Sequence, residues 1–119
     1  MASTYTTTLA RSTDTTVAVL VRKDDGKTYG VTFAGQLVVC SCPDAMYRGR
    51  VCKHARLAVE DLRAAFLAAV EANIANPTDE RFAAVEAASD AYSRASAWVW
   101  CAEQREAAQA LRAAAKAAA

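Results

Sequence analysis

Three of the four cysteines and the single histidine of this 119-residue chain fall within fifteen residues. The pattern is Cys-x-Cys, nine intervening residues and then Cys-x-His, made by Cys40, Cys42, Cys52 and His54. Thiolate sulfur and imidazole nitrogen are ligands that tetrahedral Zn²⁺ prefers in proteins. Four such ligands fill the shell and leave no position for water. The pattern therefore predicts one structural zinc ion rather than a catalytic one.

The one-residue spacing within each pair restricts the local backbone. Residues i and i+2 of a strand point to the same face, so Cys40 and Cys42 can reach one ion from a strand. A helix would turn Cys52 and His54 to nearly opposite sides. We therefore expect Cys52 in the approach to a helix and His54 at or just before its first turn. The alternatives are a chance grouping of four unrelated residues and a disulfide between cysteines one residue apart, which is rare.

The residues before the site are typical of β-structure. Three segments read as an antiparallel meander: Val17–Arg22, Thr28–Phe33 and Leu37–Cys42. Asp25-Gly26 is a strong hairpin signal, and Pro43 ends the third strand. Residues 1–16 contain seven threonines, and they are either a tail or an additional edge strand around Tyr5–Leu9.

Residues 55–119 read as helix with one break. Val59, Leu62, Phe66 and Val70 recur at three- and four-residue steps and form an apolar stripe. Pro77 disfavours helix at the preceding residue, and Thr78 is a good N-cap for a second helix running from about Asp79 towards Lys116. A second stripe is expected to pack on Leu62 and Phe66, and its members are Phe82, Val85, Tyr92 and Val99.

Three features of the C-terminal helix bear on which of its surfaces are buried. Trp98 and Trp100 lie two residues apart, so at least one of them should be partly exposed. We interpret the mixed charges of this helix as residues of its solvent-exposed faces. Cys101 reads as a small buried hydrophobe, with a thiol switch or a fifth metal ligand as alternatives.

The motif Cys40-Ser41-Cys42-Pro43-Asp44, followed by Cys52-Lys53-His54-Ala55, resembles the SWIM-type zinc finger. That family's signature is C-x-C, a variable loop and C-x-H, and the resemblance covers about residues 28–70. It implies a ββα arrangement with the four Cys and His residues as zinc ligands. Family members occur within transposases, chromatin-remodelling and helicase-like proteins, recombination regulators and ubiquitin-ligase-like proteins. They are proposed to bind DNA or other proteins.

Together these observations predict an α+β fold. A small antiparallel β-meander with a zinc-bound ββα finger precedes an Ala-rich helical hairpin. We divide the chain into a Thr-rich tail or edge strand (1–16), a SWIM-like zinc finger domain with the meander, the zinc site and the first helix (17–76), and an Ala-rich helix packing on the finger (77–119). Thirty residues are alanine, which buries little area, so such a thin core gains from a bound metal.

Composition narrows the classes of function. The formal net charge of +1 gives no strong attraction to nucleic acid or acidic membrane. No apolar run approaches the roughly 20 residues that span a bilayer, and the N-terminus lacks the features of a secretory signal. We expect an intracellular protein, cytoplasmic or in the nucleoid or nucleus, without membrane contact. No second histidine, Gly-rich phosphate loop or carboxylate pair indicates an enzyme.

The charge near the metal motif is uneven. Residues 40–56 carry a local excess of +3, from Arg48, Arg50, Lys53 and Arg56 against Asp44. One interpretation is a loop that contacts the phosphates of DNA or RNA, with Tyr47 stacking on a base. The other is a solvated loop whose cations offset the −1 charge of the zinc site.

Two functions follow from these interpretations. The working hypothesis is a DNA- or RNA-binding accessory module. The alternative is a protein-interaction adaptor that binds a partner, or a second copy of itself, through the C-terminal helix.

Overall fold

Alternating and helical segments of the sequence become strands and helices in the expected order. A computed structural model of the chain describes residues 4–34, 37–43 and 51–118. Its elements are β1 (Tyr5–Ser12), β2 (Thr16–Lys23), β3 (Thr28–Ala34), β4 (Leu37–Cys40), α1 (Lys53–Ala75) and α2 (Asp79–Ala118). Within the described residues the strands form one antiparallel sheet in the order β1-β2-β3-β4, and two helices follow. The predicted α+β class, a meander followed by a helical hairpin, is confirmed.

The turn between β2 and β3 forms at the Asp-Gly signal. Gly26 has a φ of 91°, a conformation that side chains with a Cβ rarely adopt. The Gly26 N–H donates to the Lys23 carbonyl at 2.9 Å, and the Lys23 N–H donates to the Lys27 carbonyl at 2.8 Å. Asp25 accepts from the Lys27 N–H at 3.0 Å, and this backbone hydrogen bond lowers the pKa of Asp25. The turn sets a register that pairs Val19 with Val31.

Residues 5–12 take the extended alternative and form the edge strand β1. It pairs with β2 along its length, with a bulge between Leu9 and Arg11. Thr13 begins the turn into β2, where its hydroxyl oxygen accepts a hydrogen bond from the Thr16 N–H at 3.0 Å. Threonine suits both positions, because its β-branch favours strands and its hydroxyl can bond the backbone of a turn.

The strand that leads into the metal motif is shorter than expected. β4 ends at Cys40 rather than Cys42. The Ser41 N–H still donates to the Gly30 carbonyl at 3.1 Å, but the Gly30 N–H donates to the Ser41 hydroxyl at 3.0 Å. Because a side-chain oxygen takes the place of a backbone carbonyl, the ladder stops and Cys42 lies just beyond the strand.

The core lies between one face of the sheet and the two helices. The sheet contributes large apolar side chains and the helices mainly small ones. The buried set includes Val17, Val19, Val21, Val31 and Phe33 from the sheet, and Ala55, Ala58, Leu62, Ala91, Ala95 and Val99 from the helices. The helix residues facing the sheet are therefore mostly alanines, which contribute little buried area per residue.

The helical hairpin breaks where the sequence predicts it. Thr78 caps α2, with its hydroxyl accepting the Arg81 N–H at 3.0 Å. The Phe66 and Tyr92 rings stack with centroids 6.3 Å apart, as expected if the apolar stripes of the two helices pack together. Phe82 departs from the expected stripe and is 55% exposed. At about 100° per residue it lies roughly 80° around the helix from Tyr92.

Helix α2 extends far beyond α1. Its 40 residues span about 60 Å, close to the 62 Å longest extent of the molecule. Trp100 is 63% exposed and Trp98 is half-buried, so the expectation that the two tryptophans cannot both be buried is confirmed. Neither helix in the described part of the chain combines the length and apolar character needed to cross a membrane.

The positive φ at Gly26 generates a stability prediction. We expect Gly26→Ala to lower the free energy of unfolding by about 1–2 kcal/mol, because a Cβ is disfavoured in the left-handed region. Gly30→Ala is the matched control, since a Cβ meets nothing within 4 Å at either position and only Gly26 has a positive φ. Urea denaturation followed by circular dichroism measures both variants. Equal stability of the two would contradict this account of the turn.

Candidate metal centre

The two halves of the Cys/His motif meet between the sheet and α1. Cys40 is the last residue of β4, and Cys42 follows it by two residues. Cys52 is the N-cap of α1, with the extended angles φ −93° and ψ 171°, and His54 lies in the first helical turn. This is the placement expected of a Cys-x-His pair that must direct both side chains to one point. All four side chains are buried.

The distances within the group are close to those of a metal shell. One ligand atom from each of the four residues lies within 4.8 Å of all the others. The Cys40 Sγ and His54 Nδ1 atoms are 3.8 Å apart. A tetrahedral zinc site has a sulfur–nitrogen edge of about 3.6 Å and sulfur–sulfur edges of about 3.8 Å. The group can therefore hold one metal ion with only small adjustments.

The thiols of Cys40 and Cys52 shift one another's pKa in opposite directions. Hydrogen bonding with Cys40 lowers the pKa of Cys52 to about 4, and the backbone amide of Ala55 acts in the same direction. The same hydrogen bond, together with burial, raises the pKa of Cys40. One thiolate therefore forms easily while its neighbour keeps its proton. A bound cation replaces that proton and allows further thiolates to form.

Two tyrosines of the sheet fix the orientation of the imidazole. The Tyr29 ring, on β3, stacks on His54 with centroids 4.2 Å apart and planes at 26°. Tyr5, on β1, meets the same ring edge-on at 5.7 Å and 70°. The ring is therefore held on two sides with Nδ1 directed at Cys40. Strand alternation predicts the side of the sheet that Tyr29 occupies, but no local signal placed Tyr5 beside a histidine 49 residues away.

Helix α2 braces the residues on either side of the Cys-x-His pair. The Val51 N–H donates to a carboxylate oxygen of Glu106, directly before the ligand Cys52. Glu103, one turn earlier, lies 3.5 Å from the Arg56 Nε. These acidic residues therefore contact Val51 and Arg56, which flank the Cys-x-His pair, whereas the sequence predicts that the mixed charges of α2 lie on solvated faces. The Val51–Glu106 bond joins residues 55 positions apart, so no sequence pattern revealed it.

The structure places two of the four cations proposed for nucleic-acid contact. Lys53 and Arg56 lie in the first turns of α1, and both are exposed. The Lys53 Nζ lies 5.8 Å from the centroid of the Tyr5 ring, and hydrogen bonding to the Tyr5 hydroxyl raises the pKa of Lys53. Arg48 and Arg50, together with Tyr47, lie outside the described residues.

Cys101 stands apart from the metal group. It is half-buried on α2 and does not belong to the Cys/His cluster found among the described residues. The position of Cys101 therefore gives no support to its two alternative roles, a fifth metal ligand or a thiol switch.

Comparison of the chain with protein-family models, curated proteins and solved structures found no match in any of the three. The similarity to SWIM-type zinc fingers accordingly rests on the spacing and identity of the motif residues.

Removing one ligand tests the metal site directly. We expect the purified protein to hold one zinc ion per chain, and Cys42→Ala to lose it and unfold the sheet half, because three ligands leave buried thiols uncompensated. Part of the helical signal should remain, since alanine has the highest helix propensity. Cys101→Ala is the control and should keep its zinc. Elemental analysis of freshly reduced protein measures both, and zinc retained by Cys42→Ala would contradict the assignment.

The brace from α2 gives a second prediction about the site. Glu106→Ala should weaken zinc binding by about tenfold or more, the usual effect of removing an outer partner of a metal site. Glu106→Gln retains an oxygen that can accept from the Val51 N–H and should bind zinc nearly as the parent does. Competition with a chromophoric chelator measures both affinities. If Glu106→Ala matched the parent protein, α2 would not support the metal centre.

Proposed function

We propose that this chain is a SWIM-type zinc-binding module that binds DNA or RNA through the cations around its metal loop. The observation that carries the proposal is the buried group of three thiols and one imidazole. Soft thiolates with one imidazole favour zinc over the harder ions Mg²⁺ and Ca²⁺, which prefer oxygen. Bound there, zinc supplies a structural cross-link between β4 and α1.

The ligand set supports a role without catalysis. Four protein ligands complete a tetrahedral shell, so no position remains for water or substrate at the ion. Three thiolates and a neutral imidazole around Zn²⁺ leave a net charge of −1. Such a site positions its surroundings rather than reacting, and we therefore propose a binding module and not an enzyme.

The metal centre presents the cationic loop at low entropic cost. The nine residues between Cys42 and Cys52 are anchored at both ends by ligands of the same ion. A loop held in this way loses less conformational freedom on binding than a free tail carrying the same charges. Arg48 and Arg50 belong to this loop, and Lys53 comes directly after Cys52, the ligand at its C-terminal end.

The charges of α1 suit a weak and salt-sensitive contact with phosphates. Arg56 pairs with Glu103, but both side chains are substantially exposed, at 57% and 39%. Such surface pairs contribute about 0–1 kcal/mol, so a phosphate can compete for the guanidinium. Four cations facing phosphates correspond to non-specific binding in the range of about 10⁻⁴–10⁻⁶ M.

A different surface supports the alternative function of a protein-interaction adaptor. Trp100 and Leu111 are 63% and 72% exposed. Eleven residues turn a helix by about 1,100°, so the two side chains lie within about 20° of one another around α2. A partner helix or a second copy of the chain would pack on these two exposed apolar side chains.

Reversing the loop charges separates the two functions. We expect the triple variant Arg48→Glu, Arg50→Glu and Lys53→Glu to lose at least about tenfold in affinity for an oligonucleotide at low salt, and to show a shallower salt dependence. The control reverses the exposed cations Arg63, Arg112 and Lys116, which gives the same change in net charge. Fluorescence anisotropy across a salt series measures both.

Three outcomes would count against nucleic-acid binding at this loop. No retention of nucleic acid by the parent protein at low salt would exclude the function altogether. Unchanged affinity of the loop variant would exclude these residues. Equal losses in the loop variant and the control would indicate a diffuse charge effect. The first two results, combined with salt-insensitive self-association, would favour the adaptor.

A further inference from the structure

A cleft opens at the metal centre, between the sheet and the beginning of α1, and three of the candidate ligands, Cys42, Cys52 and His54, form part of its lining. Its volume is about 710 Å³, within the range of roughly 300–1,000 Å³ that is usual for small-ligand sites. Tyr5 and Tyr29 line it from the sheet, together with Lys23 at the end of β2. Lys53 and Arg56 line it from α1. Aromatic and cationic side chains thus face one space.

The two tyrosines of the cleft both pack against the imidazole of His54. Tyr29 stacks on His54 at 4.2 Å, and Tyr5 meets the same imidazole edge-on at 5.7 Å. Both tyrosines are half-buried, so each also keeps part of its surface accessible. A ring fixed in this way offers a planar surface without first losing side-chain freedom, which favours stacking of another planar group.

The cationic side lies directly next to the aromatic side. The Lys53 Nζ is 5.8 Å from the centroid of the Tyr5 ring. Lys23 pairs with Asp25 at 3.7 Å and Arg56 with Glu103 at 3.5 Å, both through partly exposed groups that an incoming anion can compete for. The acidic lining residue Glu106 already accepts the Val51 N–H. A ligand with a flat ring and an adjacent negative charge matches this arrangement.

We propose that this cleft binds one nucleotide of a single-stranded nucleic acid, with the base stacked on Tyr5 and its phosphate facing Lys53 and Lys23. The inference rests on the proposed function and deepens it, because it names the form of the nucleic acid and the side chains that hold it. A base paired within a duplex cannot enter the cleft, so the site selects single strands. Stacking on an aromatic ring tolerates any base, so the site has little sequence preference.

The test compares two single-stranded oligomers with the same number of phosphates. One is a labelled 12-nucleotide deoxythymidine strand, and the other is an abasic strand of equal length. We expect the zinc-loaded full chain to bind the base-bearing strand at least about fivefold more tightly, the lower end of what stacking contributes. A duplex of equal phosphate number should also bind more weakly than the base-bearing strand.

Substitutions assign the base preference to Tyr5. Tyr5→Leu should abolish the difference between the two strands by lowering the affinity for the base-bearing strand to that for the abasic strand. The matched control is Phe82→Leu, another partly exposed aromatic residue that lies about 36 Å along α2 from Glu106. This control should keep the full preference. Zinc content and circular dichroism verify that each variant is folded.

A cross-linking measurement on the unaltered protein makes the result independent of any variant. A strand containing 5-iodouracil is irradiated with the zinc-loaded chain, and the cross-linked residue is identified by mass spectrometry. Attachment to Tyr5 or Tyr29 supports the proposal, and attachment only elsewhere overturns it.

The outcomes separate this inference from the proposed function. If the base-bearing and abasic strands bind equally, or Tyr5→Leu keeps the preference, the cleft proposal fails while nucleic-acid binding stands. If neither strand binds at low salt, both the cleft proposal and the proposed function fail.

The last measurement uses thymidine 5′-monophosphate as a competitor of the labelled strand. We expect it to compete only weakly because it lacks the flanking phosphates. Tight binding of this mononucleotide without strand binding would identify a small-ligand site and overturn both.

Discussion

Three cysteine sulfurs and one imidazole nitrogen are buried within 4.8 Å of one another. The other elements of the fold must be arranged so that these four atoms meet. Negative charges at that distance, away from water, repel strongly unless a cation lies between them. Without a cation, the hydrogen bond between the two thiols lowers the pKa of Cys52 and raises that of Cys40. A divalent ion removes this conflict by attracting all of the thiolates at once.

The other elements bring these four atoms together from opposite directions. Cys40 lies at the end of the edge strand β4, and His54 lies in the first turn of α1. Two further residues support the ligands without belonging to the group. Tyr29 stacks on the His54 ring, and Glu106 accepts a hydrogen bond from the backbone N–H of the residue before Cys52. The helices bury mostly alanines against the sheet, so the layer between them has few large contacts. A metal cross-link adds stability where the apolar core is thin.

Short-range spacing explains which features could be predicted from the sequence. Asp25-Gly26, Thr78 and the paired Cys/His positions each act through neighbours a few residues away, and the structure has them where the patterns indicate. Long-range contacts carry no such signal: the Val51–Glu106 bond and the position of Tyr5 beside His54 depend on how elements pack. β4 ended early for a reason the strand pattern does not contain, since the Ser41 hydroxyl replaces a backbone partner.

We propose that one zinc ion is bound by three sulfurs and one nitrogen of the same chain. X-ray absorption at the zinc edge, on freshly reduced protein loaded with one equivalent of zinc, measures this coordination directly. The account predicts three sulfur neighbours at about 2.3 Å and one nitrogen at about 2.0–2.1 Å, with no bound water. A shell containing oxygen from water, or fewer than three sulfurs, would contradict it.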